Sequence, residues 1–228
     1  MELNLIDQLT LLALDDEKGT FLADSTSYSY AIAGAVIMEL ALEERIDLSG
    51  EKVVLKDRNK TGDKIIDTYF EIILQTEKEK KIKSWVERIG NKADKIKRDT
   101  IDKLINNRIL EKKEDKILWI FSYNKYPTQN PRPENQLRSR LYDIIVNSHR
   151  PELKEIMLLN LIESCSLGKE VFGKEQAKTF KKKLKSINEY DHLAGDVNKS
   201  VKEICDTINA MLVIIIATTV ATTTVVNR

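Results

Sequence analysis

Residues 30–42, YAIAGAVIMELAL, leave little freedom to any fold that contains them. From Tyr30 to Leu42 the only acid is Glu39, and Ser25 to Ser29 just before offer several side chains able to cap a helix start, so the stretch reads as a helix ending at "EER". Apolar on nearly every side, it has no face to give to water and must be enclosed by other elements. A second stretch makes a similar demand. Ala210 to Val226, AMLVIIIATTVATTTVV, lies in a charge-free window from Thr207 to Asn227, close to the roughly 20 residues that a bilayer span needs. Its hydroxyls, Thr218, Thr219, Thr222, Thr223 and Thr224, can bond back to helix carbonyls. Drawing it into lipid would strip the Tyr30 helix of a partner, at roughly 25 cal/mol for each Å² of apolar surface exposed. The expectation is a buried apolar C-terminal helix, with a tail anchor as the alternative.

The rest of the chain reads as mainly α, a single compact helical domain over residues 1–228 with two or three β-hairpins. Leu5, Leu9 and Leu12 mark an opening helix, followed by a turn at "DDEKGT" and a short strand "FLAD". "RIDL-SG-EKVVL" reads as a hairpin turning at Ser49 and Gly50. Helical periods recur at Lys64 to Gln75, in "KKIKSWVERIG" and in "DKIKRDTIDKLINNRIL". The last leads into a hairpin whose expected turn is "KKED". The polar, Pro-rich stretch Tyr123 to Asn135 reads as a loop, and four more helical segments complete the chain.

Charge and composition exclude several functions. Lys plus Arg number 37 against 36 for Asp plus Glu, so no global positive field draws the chain to nucleic acid. Helix followed by hairpin is also the winged-helix pattern, which stands as a second alternative. Against it, the Tyr30 helix presents methyl groups where base contacts need Arg, Asn or Gln. No glycine pattern cradles phosphate. His149 and His192 stand without a carboxylate partner motif, so neither a metal site nor a nucleophile relay is signalled, and no catalytic residue, metal or cofactor is expected. Cys165 and Cys205 lack ligand spacing and read as buried thiols of a reducing compartment. The N-terminus has no basic segment ahead of its apolar residues, so no secretory signal is expected there.

The segments "LTLLALDDEKGTF", "AGAVIMELALEERIDL", "TGD" opening a helix, and "IKRDTIDKLINNRIL" with its hairpin occur in an order that resembles the Golgi phosphoprotein 3 family, most specifically in "ELALEERIDL". The resemblance implies a non-enzymatic cytosolic adaptor, peripherally bound to membrane and capable of self-association. Eukaryotic members recognise phosphatidylinositol 4-phosphate and hold the cytosolic tails of membrane proteins. Their headgroup tryptophan falls at Leu22, or with a shifted gap at Asp24, and their buried-helix arginine at Ala33. Of two basic residues three apart in a later helix, Asp94 replaces one and Lys97 keeps the other. That departure places the chain nearer a bacterial branch of the family.

The surviving cluster gives the expected lipid-headgroup residues, Lys95, Lys97 and Arg98. Cations at a helix start oppose its dipole by a few tenths of a kcal/mol to about 1 kcal/mol each, and a bound phosphate reverses that cost. The alternative reading has Asp94, Asp99 and Asp102 neutralising the cluster on a solvated face. Membrane contacts are expected at Trp85, beside the lysines of "KEKKIKSW", and at Tyr123 and Tyr126, where the resemblance places a hairpin implicated in membrane contact. "KTFKKKLKS", with Phe180 and Leu184, fits either an interfacial helix or one that covers a core with lysine stems. The function expected is that of a peripheral membrane protein binding anionic lipid headgroups; the alternative is a protein-interaction module that keeps the fold without the lipid site.

Overall fold

The computed structural model describes residues 2–49, 52–117, 121–189, 204 and 206. In chain order these form α1 (Leu5–Leu12), α2 (Ser25–Leu42), the strands β1 (Ile46–Ser49) and β2 (Lys52–Leu55), and α3 (Lys64–Leu74). The two-residue β3 (Lys80–Lys81) follows, then α4 (Ile82–Gly90), α5 (Ala93–Asn106), β4 (Lys113–Ile117) and β5 (Phe121–Lys125). The helices α6 (Arg132–Ile145), α7 (Leu153–Ser164) and α8 (Gly168–Glu189) complete the described part. The terminal apolar stretch, and with it the expectation of a buried C-terminal helix, lies outside the described residues. No described helix is long and apolar enough to cross a membrane.

Enclosure of the Tyr30 stretch is met. Asp24 caps α2 by accepting from the Thr26 and Ser27 amides at 2.9 and 3.0 Å, and α1, α3, α4, α5 and α7 all pack around it. Every residue from Ala31 to Leu40 is buried, which also removes α2 from any role in a DNA groove. α6 and α8 pack on each other, and α8 also lies on α7, so α8 forms an outer layer. Gly173, at φ 80°, breaks α8 near its start.

The first hairpin forms, with Ile46 opposite Leu55, but Ser49, expected in its turn, is strand and pairs with Lys52. Three further expectations need correction. Lys80 and Lys81 do not open α4 but form β3, pairing with Val53 and Lys52 in a three-stranded antiparallel sheet. "FLAD" contributes only an isolated bridge from Phe21 to Leu14. In the second hairpin "KKED" is not the turn: Lys113 to Ile117 are strand, with Lys113 opposite Lys125 and Ile117 opposite Phe121, so Tyr123 to Lys125 are strand rather than loop. The charges there are compatible with a strand whose first residues, Lys113 and Glu114, are exposed. The base of that hairpin is tied to the α1–α2 connection where Tyr126 donates its amide to the Gly19 carbonyl at 2.9 Å. Gly19 has φ 63°, and a Cβ there would sit 2.3 Å from the Tyr126 nitrogen, so no larger residue fits.

Candidate functional site at the start of helix α5

α5 begins at Ala93 after Lys92, which provides no side-chain cap. The Lys92 carbonyl accepts from the Lys95 and Ile96 amides. For the amides of Ala93 and Asp94 no acceptor is found among the described residues. A helix end left open in this way carries partial positive charge.

The cluster of three cations does not converge. At about 100° per residue, Lys95 and Lys97 lie on nearly opposite sides of the helix, with Arg98 between them, about 60° from Lys95 and about 100° from Lys97. Lys95 is exposed and turns to Asp99, 2.6 Å away. Part of the neutralised reading therefore holds, for this residue. Lys97 goes the other way: its ammonium lies 3.5 Å from the centroid of the Phe21 ring and 6.0 Å from that of Tyr28. Burial pushes the Lys97 ammonium below its ordinary range, with Asp94 opposing that shift. Arg98 is exposed, and no ion pair joins it among the described residues.

The two aromatic rings that seat Lys97 are themselves fixed. Phe21 and Tyr28 meet edge to face, 5.1 Å between centroids, and the Tyr28 hydroxyl lies 2.8 Å from that of Thr10. Beside Phe21, Leu22 is 38% exposed, one of two large apolar side chains exposed among the described residues. At the other positions that the resemblance assigns to a headgroup, Asp24 is consumed as the α2 cap and Ala33 is fully buried.

On its opposite flank α5 has a different role. The Lys103 ammonium bridges Asp7, fully buried on α1, and Asp63, the cap of α3, at 2.7 and 2.6 Å. Asn4, the α1 cap, joins the same group by donating from Nδ2 to Asp63. Burial pushes the Asp7 carboxyl above its usual range against the pull of Lys103. Asp63, whose partial burial also opposes ionisation, is nonetheless held low by that ammonium. The Lys103 ammonium loses solvation too, yet its hydrogen bonds to Asp63 and Asp7 raise it. A cleft of about 500 Å³ beside this group is lined by the acids Asp63, Asp99 and Asp102 against Lys64 and Lys103, a net negative lining that does not favour a phosphate. None of these contacts was signalled by the sequence, beyond Glu39 standing alone in an apolar helix. Glu39 accepts from the Leu5 amide at 2.8 Å and so fixes the start of α1.

The expected membrane contacts fare differently from the cations. Trp85 is 2% exposed, so its expected place at a headgroup boundary is corrected: α4 turns Ile82, Trp85, Val86 and Ile89 together into the core, and the lysines around them stay outside. Tyr126 is half-buried against the small apolar cluster of Leu11, Leu14, Leu104 and Leu110. Tyr123 pairs with Asp115 in the hairpin, and its side chain lies outside the described residues. Phe180 and Leu184 also face inward, which settles α8 as a helix over a core. Cys165 is buried, and His149 is exposed in a loop; His192 and Cys205 lie outside the described residues.

Comparison with known proteins gives this arrangement a context. The model of the Golgi phosphoprotein 3 (GPP34) family matches residues 5–204. Vacuolar protein sorting-associated protein 74 of Schizosaccharomyces pombe is 21% identical over 191 residues, covering 72% of this chain and 56% of that protein. The chain thus spans little more than half the length of that relative. With a family match running from the first turn of α1 through every described element, the chain belongs to the Golgi phosphoprotein 3 family.

Proposed function

We propose that the protein is a non-enzymatic adaptor that attaches peripherally to membranes by binding a phosphate-bearing anionic lipid headgroup at Lys97, Arg98 and the open first turn of α5. The observation that carries this reading is the placement of Lys97. Its ammonium is partly desolvated and held against Phe21; Asp94 acts on it from nearby, but among the described residues no acid is in ion-pair contact with it. A phosphate restores the missing charge and meets a donor already fixed in place, so little side-chain entropy is lost on binding. Arg98 supplies a planar fork from one position further along, and the Ala93 and Asp94 amides supply the oriented dipoles of a helix start. Leu22, exposed at the same edge, offers an apolar contact beside the headgroup.

Membership of the family, together with a relative named for protein sorting, supports the adaptor part of the proposal. The cargo proposed is the cytosolic tails of membrane proteins. Flotation with vesicles of neutral lipid, with and without a phosphomonoester inositol lipid, tests the site. Lys97→Gln with Arg98→Gln should weaken the lipid-dependent fraction on the order of a hundredfold, about 1.5 kcal/mol for each charge-assisted contact. Lys95→Gln should change it little. If the double variant floats as the parent does, the headgroup is bound elsewhere or not at all; no lipid-dependent flotation of the parent favours the interaction module without a lipid site.

A further inference from the structure

α8 holds an excess of charge that the chain as a whole does not have. Gly168 to Glu189 contains seven lysines, Lys169, Lys174, Lys178, Lys181, Lys182, Lys183 and Lys185, against three acids, Glu170, Glu175 and Glu189. That is a net charge of +4 on one helix of a chain whose total is +1, so the remaining residues together carry −3. The distribution within the helix is as uneven as the total. Beyond the break at Gly173, the inner side is set by Phe180 and Leu184, both buried, with Ala177 and Ile187 half-buried beside them. At about 100° per residue, Lys174, Lys178, Lys181, Lys182 and Lys185 all fall in one outward sector roughly 100° wide. All five are exposed. From Lys174 to Lys185 the stripe runs about 16 Å at the helical rise of 1.5 Å per residue.

The stripe gains little from its own surroundings. Lys181 pairs with Glu163 at 2.9 Å and Lys185 with Glu189 at 3.8 Å. Among the described residues no ion pair joins Lys174, Lys178 or Lys182. Neighbours such as Lys174 with Lys178, Lys178 with Lys182, and Lys181 with Lys185 stand four apart, the spacing at which like charges repel along a helix. The stripe is therefore a concentration of positive charge that its described neighbours answer only in part.

We infer that this face of α8 is a second membrane contact, a delocalised electrostatic surface for anionic bilayers that is separate from the headgroup site on α5; the inference rests on the peripheral attachment proposed above. The chemistry favours a charged sheet over a discrete ligand. The sector contains five lysines, with Glu189 at its far end, and no arginine, so it offers mobile point charges rather than the planar forks that grip single phosphates or carboxylates. It offers no exposed aromatic ring on which a base of single-stranded nucleic acid could stack. With Phe180 and Leu184 turned inward, no described residue of this face offers an apolar side chain to insert, so its attraction comes from charge and falls with salt.

Vesicles of phosphatidylcholine containing phosphatidylserine, free of any phosphomonoester lipid, isolate this surface from the α5 site. The full chain should bind them at low ionic strength and lose them as sodium chloride rises. Changing Lys174, Lys178, Lys182 and Lys185 together to Gln should weaken that binding more than a hundredfold, on the order of fivefold for each lysine at a charged surface. The same variant should keep its preference for vesicles with a phosphomonoester inositol lipid over vesicles with none, while Lys97→Gln with Arg98→Gln should do the reverse. Circular dichroism confirms that the variant is folded. The inference is overturned if the phosphatidylserine vesicles are not bound at low salt, if the quadruple variant binds them as the parent does, or if the parent prefers an RNA duplex of equal charge to the vesicles. Loss of the phosphomonoester preference alone, with phosphatidylserine binding intact, would instead count against the α5 site.

Discussion

α5 and α8 look alike as sequences, two lysine-rich helices with an apolar stripe, and they use their lysines in opposite ways. On α5 the cations are distributed among the tasks of the fold: Lys103 joins two buried helix starts, Lys95 answers Asp99 and Lys97 lies against Phe21. On α8 the five exposed lysines beyond Gly173 share one sector, and among the described residues three of them join no ion pair. Proximity in the chain is thus a poor guide to convergence in space. Three cations within four residues of α5 diverge, whereas lysines spread from position 174 to 185 come together.

That contrast predicts a ladder of stability effects. The largest belongs to Lys103→Met, which leaves Asp7 buried without its cation and should cost about 3–5 kcal/mol by urea unfolding. A loss under about 1 kcal/mol would mean that α5 depends on its lysines no more than α8 does.

Next comes the acid on α6, against which α8 packs. Glu134 is 2% exposed, and burial, followed by a hydrogen bond to Asp16, pushes its carboxyl up to about 7 despite Arg138. Since the folded form holds this proton more tightly than the unfolded chain, the stability it contributes is complete below about pH 4.5 and is lost as pH rises through about 7. The size is on the order of 3 kcal/mol for a shift of that extent. Glu134→Gln, which keeps a donor for Asp16, should remove this part of the pH slope. Parallel unfolding curves of parent and variant between pH 5 and 8 would assign the slope to other groups.

A smaller effect is expected from Lys97→Ala, about 1 kcal/mol, because a cation over an aromatic face loses both that attraction and the contact of its stem. Guanidine midpoints of this variant alone and combined with Phe21→Leu test it: the two changes should be less than additive, and strict additivity would remove the ring contact. Smallest of all, Lys178→Gln on α8 should leave the melting point within the range of a ±0.5 kcal/mol change, or raise it by relieving repulsion. A clear drop would show that the stripe does serve the fold after all.

Much of the fold was legible residue by residue. The start of α5 was expected at Asp94 and lies at Ala93, and α2 extends from the cap side chains before it to Leu42 as its all-round apolarity and the following "EER" imply. The second hairpin was misread because "KKED" combines the polarity usual for turns with a length that fits one. Pairing with Phe121 to Lys125 overrides that local preference, since strand propensity depends on what lies across the ladder. Trp85 was misread for a related reason. Lysines before it drew attention to a membrane, yet its spacing from Ile82, Val86 and Ile89 is that of a helix face turned to a core.

By itself the sequence determined that α2 would be enclosed, that the chain would be mainly helical, and to which family it belongs, because periodicity and segment order are properties of the chain alone. Only the tertiary structure decided which charges meet. Asp7 and Lys103 are 96 residues apart, Asp63 and Lys103 are 40, and no local rule relates them. A helix fixes the direction of each side chain about its axis, but what waits in that direction, an aromatic ring, a carboxylate or open water, depends on the elements packed alongside.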